Sequence, residues 1–152
     1  MRKANEMQIV IDARRIHFDF TLNRDKQVIL LQGKSGSYKT TLFEVLEHYY
    51  RYGKDSGLTV ECEKKIVFIG YDSWKNMREY YLVEHSNQLT LIHEACHFFN
   101  TPEFAEVIKR NRTNQYLIIT REKLKYIDVN DYEIKQWNKE GKCPWKFKST
   151  LN

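Results

Sequence analysis

Residues 33–41 read Gly-Lys-Ser-Gly-Ser-Tyr-Lys-Thr-Thr. Gly33 and Gly36 permit backbone angles that side chains resist, so successive N–H groups of such a loop can face one anion. Lys39 brings a point charge to the outer phosphates of a polyphosphate, and Thr40, followed by Thr41, offers a hydroxyl to magnesium. A second concentration of reactive side chains is His93-Glu94-Ala95-Cys96-His97. It supports two incompatible arrangements. On a helix, His93 and His97 stand one turn apart and can share zinc, with Glu94 as general base and Glu103 or Glu106 as candidates for a further ligand. At the end of a strand, the same residues deliver His93 and Glu94 to the edge of a sheet, and His97 is then a partly buried polar residue without a ligand role.

The elements around these residues decide between the arrangements. Val28-Ile-Leu-Leu31 is a continuous apolar run of the kind found in strands buried on both faces. It leads directly into the glycine turn. After Thr40, Leu42, Val45, Leu46 and Tyr49 recur at helical spacing, and Gly53 with Ser56-Gly57 stops the pattern. The context is therefore strand, glycine loop, helix. Leu89-Thr-Leu-Ile92 reads as a second buried strand, which favours the strand-end arrangement for His93 and Glu94 over a zinc-binding helix. Tyr116-Leu-Ile-Ile-Thr120 reads as a third.

Upstream, Gln8 to Ile11 and the alternating Ile16, Phe18, Phe20 and Leu22 predict a hairpin. Leu58 to Val60 and Ile66 to Ile69 predict strands, and Ser73 to Val83 a helix. Thr101-Pro102-Glu103 has the composition of an N-cap, a first-turn proline and an early acid, opening a helix with Phe104, Val107 and Ile108 inward. The segment after Arg121 reads as mixed strand and turn. Strands alternating with helices predict an α/β fold with a mainly parallel sheet.

Gly33 to Thr40 matches G-x-x-x-x-G-K-[ST] except that Tyr38 stands where the last glycine belongs, so the loop resembles the Walker A motif of P-loop NTPases. Leu89 to Glu94 is similar to a Walker B strand, with His93 where an aspartate usually coordinates magnesium and Glu94 where the water-activating carboxylate usually stands. Tyr116 to Glu122 resembles the next strand of such ATPases, whose end senses the γ-phosphate, here through Thr120 or Arg121. The spacing of Lys34, Gly36, Lys39 and Thr40 also resembles the variant loop of partition-type ATPases, although Ser35 replaces a glycine.

The resemblance covers about Gln27 to Arg121. It implies a three-layer P-loop NTPase-like α/β fold, with helices on both faces of the sheet and an N-terminal β-hairpin. ATP with magnesium would lie at the carboxyl ends of the strands, within Gly33, Lys34, Ser35, Gly36, Ser37, Tyr38, Lys39, Thr40 and Thr41, with Thr40 on the metal. No segment resembles the arginine-bearing lid of small-molecule kinases, and Asn138-Lys139-Glu140 lacks the Asp and the preceding strand of a guanine-reading motif. A nucleotide-dependent switch or weak ATPase is the expectation.

Composition agrees with one domain, divided as hairpin 7–26, nucleotide-binding core 27–121 and C-terminal extension 122–152. The 152 residues are 41% apolar and 14% aromatic, enough for an ordinary core. Three cysteines, Cys62, Cys96 and Cys143, form no even set and no C-x-x-C pair, which fits reduced thiols in a cytoplasm. No stretch approaches the roughly 18 apolar residues of a membrane span, and the polar start lacks a signal-peptide core. A net charge of +5 suits an anionic partner, whether nucleoside triphosphate, nucleic acid or an acidic protein. Two alternatives stand beside the nucleotide reading: a zinc-dependent hydrolase centred on His93 and His97, and a non-catalytic basic module with a relic loop.

Overall fold

Alternation of apolar and polar residues builds the first sheet. In the computed structural model, which describes residues 5–13, 17–33, 39–69, 85–93 and 97–137, β1 (Glu6–Asp12) pairs antiparallel with β2 (His17–Asn23), matching Met7 to Leu22, Ile9 to Phe20 and Ile11 to Phe18. All six side chains are buried, while the polar residues between them take the other face, where Gln8 Nε2 donates to Asp19 Oδ1 at 2.9 Å. This is the period-2 division that fixes register, because a slip by one residue would expose the whole apolar set.

The described contacts gather into two compact units interleaved along the chain. The first holds the described residues of Met1–Arg24, Gly33–Glu63 and Gln136–Asn152. Here β4 (Thr59–Glu61) adds to the free side of β1, giving the order β2-β1-β4. Trp137 is wholly buried on this hairpin, edge-on to Phe20 with ring centroids 5.1 Å apart and 6.2 Å from Phe18. Helix α1 (Lys39–Tyr52) buries Leu42, Phe43 and Leu46, with Val45 and Tyr49 half-buried. It ends where glycine stops it, in a 3-10 turn over Gly53–Ser56 followed by Gly57 at φ 77°, a left-handed angle that glycine adopts without a steric penalty.

The second unit holds Asp25–Gln32 and the described residues of Lys64–Lys135. Its five-stranded sheet has the order β5 (Lys65–Ile69), β6 (Gln88–Ile92), β7 (Gln115–Ile119), β3 (Val28–Gln32), β8 (Tyr132–Gln136). The first four of these run parallel to one another. One face carries Val28, Leu30, Tyr116, Ile118 and Ile92 into a core with Phe104, Val107 and Ile108 of α2 (Pro102–Arg110). The alternate residues Ile29, Leu31, Leu89, Leu91 and Leu117 are buried as well, so these strands carry the unbroken apolar runs of a sheet covered on both sides.

Helix α2 begins as its sequence predicts. Thr101 Oγ1 accepts from Phe104 N at 3.3 Å and Pro102 fills the first helical position. At its other end, Gln27 donates to the carbonyls of Ile108 (2.6 Å) and Asn111 (3.1 Å) and accepts from Arg112, which also pairs with Asp131 at 3.0 Å. The expected helix over 73–83 lies outside the described residues. After Arg121, the mixed segment resolves into a 3-10 turn over Val129–Asp131 and the edge strand β8. No described helix is long and apolar enough to cross a membrane.

Candidate functional site

Strand β3 of the second unit stops at Gln32, and helix α1 of the first unit starts at Lys39. Lys34, Ser35, Gly36, Ser37 and Tyr38 lie outside the described residues. Within the first unit, Lys39 Nζ donates to the carbonyl of Gly33 at 2.6 Å, which brings the ammonium back to the residue where the loop begins. Thr40 is exposed and Thr41 half-buried in the first turn of α1.

The second unit gathers the other candidates at one edge of its sheet. Because β6, β7 and β3 are parallel, with Ile92 opposite Ile118 and Ile118 opposite Leu30, their carboxyl ends share that edge. His93 follows β6 and extends its pairing, its N–H donating to Ile69 O at 3.4 Å. Glu94, Ala95 and Cys96 lie outside the described residues. Thr120 follows β7 and is 3% exposed, whereas Arg121 is exposed. Gln32 Nε2 donates to Thr120 O at 3.2 Å, and Thr120 Oγ1 accepts from Glu122 N at 3.0 Å. A threonine hydroxyl that accepts in this way keeps its own proton for a further partner.

His97 departs from the sequence expectation of a partly buried residue. Its side chain is 70% exposed, and Nδ1 lies 3.1 Å from Glu122 Oε1. The reason is its place at the start of a 3-10 turn, His97–Asn100, whose Phe98 and Phe99 turn inward and leave the histidine on the outside. The zinc arrangement needs His93 and His97 on one helix, but His93 extends a β-ladder and His97 opens a separate turn. Glu103 and Glu106 behave as the acidic, solvated side of α2: both are exposed, and Glu106 lies 3.8 Å from Lys109. Among the described residues, no group of three or more His, Cys, Asp or Glu side chains is placed to hold a metal.

Purified protein is therefore expected to carry zinc far below one atom per chain by elemental analysis. Stoichiometric zinc lost in both His93→Ala and His97→Ala would overturn the strand-end arrangement.

Two residues with contacts at this edge carry no motif, Gln32 and Asn100, and Glu122 only closes the segment read from Tyr116. Asn100 Nδ2 donates to Lys123 O and its Oδ1 accepts from Lys125 N, both at 2.9 Å, holding the loop after β7 to the turn after β6. The one sequence signal was Gln32 itself, a polar residue closing an apolar run. No protein-family model matches the chain, and neither does any curated protein.

Proposed function

We propose that the chain binds a nucleoside triphosphate with magnesium in the loop 33–41 and works as a P-loop switch or weak ATPase. The observation that carries this reading is Lys39, the first residue of α1, whose ammonium donates to the carbonyl of Gly33 at 2.6 Å. A lysine at a helix N-terminus is suited to polyphosphate, since ammonium and helix dipole both favour negative charge there. Strands buried on both faces support the three-layer P-loop architecture in which such loops occur.

The donors fit the triphosphate more fully than the metal. Thr40 would hold magnesium through its hydroxyl, together with oxygens of the nucleotide. His93, at the position of the usual aspartate, offers nitrogen to an ion that prefers oxygen in near-octahedral geometry. When bound, magnesium neutralises charge on the phosphates. In this reading Glu94 orients and deprotonates water, Thr120 or Arg121 contacts the outermost phosphate, and hydrolysis is slow because the aspartate is missing and Tyr38 replaces the last glycine of the loop. The basic balance of the chain suits an acidic protein or nucleic-acid partner, and a cytoplasmic location belongs to the same proposal.

A thermal-shift series with MgATP, MgGTP and MgADP tests binding, since a ligand at a hundredfold excess over its Kd stabilises the folded state by about 2.7 kcal/mol. The catalytic part is tested by Tyr38→Gly combined with His93→Asp, which restores both consensus residues. ATP turnover should rise at least several-fold, and adding Glu94→Gln should abolish the gain. A parent enzyme already working at about 1 to 1,000 per second, or a restored variant that gains nothing, overturns the slowed-site reading.

A further inference from the structure

The five-stranded sheet of the second unit ends in two unlike strands. At one end, β5 buries Ile66, Val67 and Ile69. At the other, none of the five residues of β8 is buried, and Ile134 is 51% exposed on a strand whose one described neighbour in the sheet is β3. Val129, in the 3-10 turn that leads into β8, is 69% exposed. A single exposed apolar side chain is ordinary on a protein surface. On the last strand of a sheet it stands beside main-chain groups that a further strand can pair with.

The strand is also held in place. Asp128 accepts from Asn130 N at 2.7 Å and caps the turn, Lys26 Nζ donates to Asn130 O at 3.0 Å, and Arg112 pairs with Asp131 at 3.0 Å. These contacts tie the start of β8 to the residue pair before β3 and to the segment after α2, all within the second unit. A strand fixed in this way has little conformational freedom left to lose on pairing.

The order of charges selects the occupant. Glu133, Ile134 and Lys135 are consecutive and belong to the same unit. When two copies meet antiparallel about Ile134, Glu133 of each faces Lys135 of the other, and the two Ile134 side chains lie directly opposite. An antiparallel shift by two residues sets Glu133 on Glu133 or Lys135 on Lys135, and a parallel copy in register does both. A lysine alone blunts an edge against aggregation. A carboxylate and an ammonium on either side of an apolar residue select one twofold register.

We infer that β8 is the interface of a twofold-symmetric homodimer, in which residues 133–135 of two copies pair antiparallel and continue the sheet from one chain into the other. Each copy uses its outer strand on the other, so assembly stops at two chains. A strand this short buries little surface, and its ion pairs are open to solvent, so the dimer is weak and sensitive to salt.

Sedimentation velocity on the full chain, over about 1 μM to about 1 mM protein, tests this. The parent should pass from one chain to two as concentration rises and go no further. Glu133→Lys and Lys135→Glu each set like charges on both sides of Ile134, so each should weaken self-association by at least about tenfold. An equimolar mixture of the two variants should associate as the parent does, because each then faces its opposite. The double exchange, Glu133→Lys with Lys135→Glu, should recover self-association. A parent that stays one chain throughout, single variants that associate like the parent, or a mixture that does not associate overturns the inference. If a single variant fails to fold, the parent decides by NMR: amide signals of 133–135 that move with concentration support this interface, and movement confined to other residues overturns it. Protection of all three amides from exchange in the dilute monomer, where pairing on one side uses only alternate residues, would show that the chain covers this edge itself and would overturn it too.

Discussion

Replacing Lys39 by alanine is expected to weaken MgATP binding by about 10- to 100-fold, the loss of one charge-assisted hydrogen bond at roughly 1.5 to 3 kcal/mol. The unfolding transition should stay close to that of the parent. Lys39 is half-buried at the first position of α1, and its ammonium donates to the Gly33 carbonyl, whereas the core of the helix is formed by Leu42, Phe43 and Leu46. Calorimetry reads the affinity and thermal denaturation reads the fold. Lys39→Arg is the informative companion: it keeps the charge but replaces a compact ammonium by a planar guanidinium, so affinity should recover only in part. Equal MgATP affinity in Lys39→Ala and parent would rule out the phosphate-loop assignment.

The second large effect concerns stability. Trp137→Ala should cost about 3 to 5 kcal/mol, the range found when a buried tryptophan leaves a cavity, and lower Tm by about 10 °C for a chain of this size. The indole is wholly buried against Phe18 and Phe20, on the inward face of the β1–β2 hairpin. Trp137→Phe retains part of that aromatic packing and should lose less than alanine does. A Tm unchanged in Trp137→Ala would mean that the hairpin does not rely on the residue that follows β8.

Neither effect is equally visible in the sequence. Lys39 announces itself through the glycines before it and the helix periodicity after it, both local signals. Trp137 stands after a short, partly exposed strand, and its importance arises only because the chain returns to the first hairpin after a separation of well over a hundred residues. The HEACH segment shows the same division. Five residues were compatible with a zinc helix or a strand end, and the apolar run before them already favoured the strand that is observed over Gln88–Ile92. The exposure of His97 is not local, because it depends on which neighbours turn inward, and Phe98 and Phe99 do so.

The sequence by itself determined those features whose causes lie within a few residues: the register-setting alternation of β1 and β2, the glycine stop of α1, the Thr101 cap of α2 and the buried character of β3, β6 and β7. The tertiary structure alone decided that β7 lies between β6 and β3, that β4 joins β1 in the other sheet, and that Gln32 reaches Thr120. The physical reason is that hydrogen-bonding groups on a strand's edges are the same in every strand. Apolar patterning says which faces are buried, whereas the choice of neighbour depends on how the whole set of side chains and connections packs, and that is not written in any one segment.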